Sequence, residues 1–272
     1  MKIKKCLFMV FSMVVMGLLS SCSIDFTNDD DVNGDNGKSK EKGCFTVSSD
    51  GKKVKFAKGN LQYCPSTKDW RFAENQWEFM AYENDKRTDP SFTGWIDLFA
   101  WSTEESDYGL IIDAEKPEIY YGEFKDWGKL FNDNEWYTLS RDEWHYLRSL
   151  RPNAFNLKTA AKVHSKNGLI FFPDDFKNPG VDYVIADYYS SNNLSDADWS
   201  KLEAAGAIFL PAAGYYTPDG SKYNESAHYW SSETFIGYAS TATFLVSPDY
   251  SSISNSIDCY LGNPVRLARV VE

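Results

Sequence analysis

Apolar positions along this chain come in short bursts with two different periods. In GKKVKFAKGNLQY, residues 51–63, Val54 and Phe56 alternate with lysines, which predicts a short strand followed by a turn at Gly59-Asn60. In LSRDEWHYLRSLRP, Ser140 and Glu143 have the spacing of a capping box, Trp144, Leu147 and Leu150 recur on one face, and Pro152 ends the pattern. A helix of about three turns is expected there. In LSDADWSKLEAAGAIFLPAAG, Ser195 is placed as N-cap, Trp199 and Leu202 as the buried stripe, and Gly206 as the C′ glycine. GLIFFPDD and AIFLPAAG are continuous apolar runs ended by proline, as expected of strands covered on both sides, and NPVRLARVV reads as a closing strand with Arg266 facing away from Val265 and Leu267. The segments WRFAENQWEFMAYEN, TGWIDLFAWST and YYGEFKDWGKLFNDNEWYTLS crowd aromatics without a clean period and read as core-filling strands and loops. Two helices among many short strands, with much loop and no internal repeat, predict an α+β domain.

The first 43 residues follow a different pattern. Lys2, Lys4 and Lys5 precede an apolar run from Cys6 to Leu19, a secretory signal too short and wrongly flanked to span a membrane. The ending Leu19-Ser20-Ser21-Cys22 resembles a bacterial lipobox, which implies lipidation at Cys22 and attachment to a membrane only through acyl chains. Residues 22–43 are polar and charged and are expected to form a flexible tether. The run Asp29-Asp30-Asp31 resembles the export signal for the outer face of the Bacteroidetes outer membrane, and it also reads as an ordinary solvated linker. The expected division is therefore 1–21 signal peptide, 22–43 tether and 44–272 folded domain.

Charge and cysteine content narrow the function classes. The formal net charge is -11, and removing residues 1–21 takes away three lysines and no acid, leaving -14. That balance argues against nucleic acid and anionic lipid as partners. Cys44, Cys64 and Cys259 offer at most one bridge plus a free thiol, or none. Only His145, His164 and His228 could act as the usual general base; no nucleophile elbow, zincin helix or phosphate loop occurs, and neither His164 nor His228 has partners at zinc-ligand spacing. His145 lies off the apolar stripe of its helix and is expected in solvent. Asp174-Asp175 and the pair Asp196 and Asp198 are expected as turn and cap residues. No catalytic residue, metal ligand or cofactor is assigned.

The segments GKKVKFAKGNLQY, WRFAENQWEF, GWIDLFAW, DWG, WYTLSRDEWHYL, GLIFFPDDF, LEAAGAIFLPAAGYY and YWSS followed by GNPVRLARV together resemble a family of Bacteroidetes surface lipoproteins, from about Phe45 to Val270. The resemblance implies a C-type-lectin-like fold of the variety used by formylglycine-generating enzymes. It implies that Trp230 and Val265 to Leu267 are framework, that Ser231 and Ser232 make structural hydrogen bonds, and that Arg266 pairs with a buried carboxylate. Those enzymes hold copper with a cysteine pair, whereas Cys259 stands alone. Calcium-dependent lectins carry E-P-N or Q-P-D with W-N-D, whereas this chain has only EKPE at Glu115 to Glu118 and ADW at Ala197 to Trp199.

Some similar proteins are variable proteins of diversity-generating retroelements, in which C-terminal codons are mutated on a fixed lectin-like scaffold. Tyr, Ser, Thr, Ile, Asp, Phe and Gly, the residues such mutation produces, fill much of 235–263. Large rigid aromatics mixed with small polar residues also suit recognition, as in antibody paratopes, and exposed connecting loops share that composition. The candidate ligand-binding set is Phe235, Ile236, Tyr238, Ser240, Thr243, Tyr250, Ser252, Ser254, Asn255, Tyr260 and Asn263. The implied protein is a non-enzymatic, adhesin-like lipoprotein of the outer membrane facing the exterior, whose partner is a surface ligand, glycan or protein. The alternatives are a copper- or metal-dependent enzyme on the formylglycine-generating scaffold and a structural subunit of a surface pilus.

Overall fold

The first and last strands of the described domain meet in one sheet. The computed structural model describes residues 43–80, 83–131, 135–223, 226–234, 240–246 and 251–271. The expected signal peptide, almost all of the tether and Cys22 lie outside the described residues, as do Phe235, Ile236, Tyr238 and Tyr250. Among the described residues, no helix is long and apolar enough to cross a membrane.

The four-stranded terminal sheet has the order β1 (Phe45–Thr46), β2 (Lys53–Phe56), β15 (Leu267–Val271) and β5 (Trp136–Thr138). The final strand is thus sandwiched between an early one and a middle one, antiparallel to both. A second four-stranded sheet has the order β8 (Asn193–Leu194), β6 (Lys158–Val163), β7 (Lys166–Phe171) and β9 (Ile208–Pro211). The two apolar runs ended by proline are its neighbours β7 and β9, and every residue of β9 is buried, as its continuous apolar run requires. β3 (Leu61–Cys64) pairs with β4 (Asp69–Phe72), and β10 (Tyr215–Tyr216) with β11 (Lys222–Tyr223). The last sheet is the meander β12 (Ala227–Thr234), β13 (Ser240–Val246) and β14 (Ser251–Asp258).

Both helices form where expected, for local reasons. α1 (Arg141–His145) begins at a complete capping box: Ser140 Oγ accepts from Glu143 N, and Glu143 Oε2 accepts from Ser140 N at 2.8 Å. α2 (Asp196–Ala204) is capped by Ser195, buries Trp199 and Leu202, and ends before Gly206 at φ +89. After His145 the first helix widens into a π-helix over Tyr146–Leu150. Each three-residue step already falls about 60° short of a full turn in an α-helix, and wider turns add to the lag. Trp144 and Leu147 are buried, but Leu150 has rotated out to 58 % exposure, which corrects its expected place on the buried stripe.

The core has three parts. One joins the terminal sheet to α1 and the second sheet through Phe45, Val54, Trp144, Phe171, Tyr229 and Ala268. A second gathers Trp101, Trp127, Trp230, Phe99, Val265 and Leu267, so the irregular aromatic segments supply core from loops. The third packs α2 on the second sheet through Trp199, Leu202 and Phe209. Cys44, Cys64 and Cys259 are all buried, and among the described residues no disulfide joins any two of them, so of the two outcomes left open the one without a bridge is observed.

Arg266 does not pair with a carboxylate as the resemblance implies. It is buried, as Val265 and Leu267 are, and it donates from Nε to Asn60 Oδ1 at 3.0 Å, from Nη1 to Ala57 O at 3.2 Å and from Nη2 to Phe209 O at 2.9 Å. A carboxylate enters only one step away, where Gln76 Nε2 donates to Glu203 Oε1 at 2.9 Å while Gln76 Oε1 accepts from Phe209 N. Oriented carbonyls and amides satisfy the guanidinium, so a buried counter-ion in contact with it is not required.

Candidate functional site

The segment that carries the candidate residues is held at both ends by buried framework. At its entry Trp230 is fully buried; its Nε1 donates to Phe99 O at 2.7 Å, its N donates to Pro264 O at 3.2 Å, and its ring meets Trp101 edge-on at 5.7 Å. Ser232 N donates to Leu139 O, and Glu233 Oε2 accepts from Arg141 N at 3.1 Å, which ties β12 to the start of α1. At the exit Val265, Arg266 and Leu267 are buried, and Leu61 N donates to Val265 O.

Between these ends the backbone register of the meander is regular only in part. Thr243 stands opposite Ser254, Leu245 opposite Ser252, and Ser240 opposite Asp258. The β12–β13 ladder shifts register between Trp230 and Thr234, and the β13–β14 ladder shifts between Thr241 and Thr243. Both irregularities therefore meet β13 at the same place, with Asn255 in the interrupted stretch of β14. Bulges re-aim side chains locally and are over-represented beside functional sites. The structure thus brings Ser240, Thr243, Ser252, Ser254 and Asn255 onto two adjacent strands.

Tyr260 is half-buried just after β14, and its hydroxyl donates to Asp258 Oδ2 at 2.7 Å. That bond, with burial second, pushes its phenol up to about 12. Asp258 is exposed and was absent from the candidate set; the D-x-Y spacing was the signal that could have found it. Asn263 departs from the set. It is completely buried, its backbone pairs in both directions with Phe99 at 2.8 and 2.9 Å, and its Nδ2 donates to Leu261 O. The side chain is enclosed and is not displayed at the surface.

The remaining titratable residues fall into structural roles. Asp174 accepts from Thr46 N at 2.9 Å and from Arg151 Nη1 at 3.1 Å, so it closes the β1 end of the domain, while Asp198 accepts from Ser195 Oγ at the start of α2. His145 is exposed. His164 has φ +47, stacks on Trp77 at 3.7 Å and lies 3.1 Å from Asp196 Oδ1, which supports the tight β6–β7 turn. His228 meets the Tyr215 ring edge-on at 6.0 Å, and burial holds its imidazole down to about 4. Burial pushes the Cys259 thiol up to about 12. Among the described residues, no group of three or more His, Cys, Asp or Glu side chains is arranged to hold a metal ion.

No protein-family model matches the chain, and neither a curated protein nor a solved structure matches it.

Proposed function

We propose that this chain is a lipid-anchored surface protein whose domain is C-type-lectin-like and whose segment 235–260 forms the face that binds a surface ligand, glycan or protein. The observation that carries the reading is the contrast within 227–268. Trp230 and Val265 to Leu267 are fully buried anchors, while the strands between them carry Ser, Thr and Asn where both ladders lose register. A frame fixed by buried anchors tolerates replacement of the residues between them, and Tyr with Ser and Asn supplies contact area and adaptable hydrogen bonds at low entropic cost. The lipid anchor rests on the Leu19 to Cys22 motif, and the exterior location on the acidic run that follows it.

The test is to graft another set of residues at Phe235, Tyr238, Ser240, Tyr250, Ser252, Ser254 and Tyr260 and measure ligand choice and melting temperature together. Changed ligand choice at a nearly unchanged Tm supports the reading; unfolding of the grafted chain identifies the segment as core and ends it. Diversification by a retroelement is tested separately. It requires a neighbouring reverse-transcriptase gene and a near-repeat of the codons for residues 230–266, and without them the protein is a binding lipoprotein of fixed sequence.

A further inference from the structure

Among the described residues, five of the eight exposed large apolar side chains lie in two short segments: Leu150 and Phe155 in one, Val184, Ile185 and Tyr188 in the other. A single exposed apolar residue needs no explanation, but a cluster of them does. The two segments are neighbours. Thr159 Oγ1 donates to Val184 O at 2.7 Å and Ala160 N donates to Ala186 O at 2.8 Å, so 184–186 runs beside the start of β6, just after the turn that holds Phe155. The charges agree: burial lowers both the Arg148 guanidinium and the Lys158 ammonium from their ordinary values, and the Asp187 carboxylate acts against it at each.

Local geometry exposes these side chains. The π-helix turns Leu150 outward, and the turn through Pro152 and Asn153, the latter at φ +60, leaves Phe155 73 % exposed. Lys158 Nζ lies 5.8 Å from the centre of the Phe155 ring and donates to Ala154 O at 3.4 Å, while Arg148 Nη1 donates to Ser149 Oγ at 2.8 Å. Apolar tips flanked by half-buried cations suit a lipid headgroup layer, where the tips insert and the cations meet phosphates.

The course of the chain indicates what covers this patch. Asp174 ties the start of the described domain to the turn beside Leu150: it donates from N to Cys44 O at 2.9 Å, accepts from Thr46 N at 2.9 Å and accepts from Arg151 Nη1 at 3.1 Å. Whatever their conformation, the residues from Cys22 to Gly43 span at most about 75 Å. A lipid on Cys22 therefore keeps the bilayer within that reach of Cys44, nearest to the end of the domain that carries the patch. We infer that Leu150, Phe155, Val184 and Tyr188 dock the domain on the zwitterionic lipid surface to which Cys22 is attached. This rests on the lipid-anchor reading and adds a protein contact to it. A few side chains of this size hold a tethered domain without recruiting a free one, because the anchor supplies the bilayer at high effective concentration.

The experiment measures amide hydrogen exchange by mass spectrometry in the mature chain, residues 22–272, on phosphatidylcholine vesicles, with the mass of the N-terminal peptide reporting acylation of Cys22. The reference is the mature chain carrying Cys22→Ser, mixed with the same vesicles. Exchange in 150–157 and 184–188 should be about threefold slower in the acylated chain than in the reference, with α2 unchanged. Leu150→Ser combined with Phe155→Ser, both at exposed positions, should return the two segments to the reference rate at an unaltered Tm. Phe155→Ser alone should move them in the same direction if the double variant fails to fold. Equal exchange in the acylated chain and the reference overturns the inference alone, as does protection that needs no vesicles and grows with protein concentration, which identifies a second copy as the occupant. An unacylated N-terminal peptide ends the anchor reading and the inference with it.

Discussion

Arg266 and Arg87 are both buried, and burial pulls both guanidinium groups down to about 10, yet they sit in opposite kinds of surroundings. Each nitrogen of Arg266 donates to a fixed acceptor, two of them in the segment 57–60 and one at Phe209. Arg87 has one donating nitrogen, at Leu98 O, and an aromatic face, with its parallel edge turned to no acceptor among the described residues. Equal burial therefore hides different bonding. The two differ in completeness of hydrogen bonding, closed around Arg266 and open around Arg87.

The largest expected effect is at the closed end of this contrast. Arg266→Leu leaves Asn60 Oδ1 and the Ala57 and Phe209 carbonyls without their donor, and should cost about 4 kcal/mol in urea unfolding. Arg87→Leu removes a cation whose bonding is incomplete and should change stability by no more than about 1 kcal/mol. Equal losses in the two proteins would erase the distinction.

Next in size is a pH effect beside Arg87. Burial raises Asp97 from the ordinary 3.8 to about 6, so its neutral form is favoured in the fold. The stability it contributes is fully present below pH 3.8 and is lost as pH rises through 6, by on the order of 3 kcal/mol. His228, held down from 6.5 to about 4 by burial, acts with the opposite sign. Its contribution is present above pH 6.5 and is lost as pH falls toward 4. The two oppose each other between pH 4 and 6, so unfolding curves of Asp97→Asn should slope one way there and those of His228→Phe the other. Parallel curves for the two variants would refute the assignment.

Smaller effects sharpen the frame. Trp230→Phe removes the bond to Phe99 O and part of the core that anchors the candidate segment, at about 2 kcal/mol by chemical denaturation. Ser140→Ala removes one half of the capping box and should cost about 1 kcal/mol, read from the same curves, without altering ligand binding.

Features decided within a few residues were legible in the sequence. The Ser140–Glu143 box, the Ser195 cap, the Gly206 terminator and the strands in GLIFF and AIFLP all appear where their local chemistry places them. Trp230, expected as framework, is fully buried. Features set by partners far away in the chain were not legible. Leu150 matched the apolar spacing but was turned outward by a π-helix that the pattern does not encode. Asn263 looked like its polar neighbours until its pairing with Phe99 enclosed it. Arg87 carried no motif, because Leu98 and Tyr216 come together around it only in the fold.

The sequence by itself determined an α+β chain with two capped helices and short buried strands, because caps, turns and apolar periods act over one or two turns of backbone. Only the tertiary structure decided which polar groups end up satisfied. Hydrogen-bond completeness depends on acceptors brought from 11 to more than 200 positions away, as Leu98 is to Arg87 and Ala57 to Arg266. No local pattern fixes that.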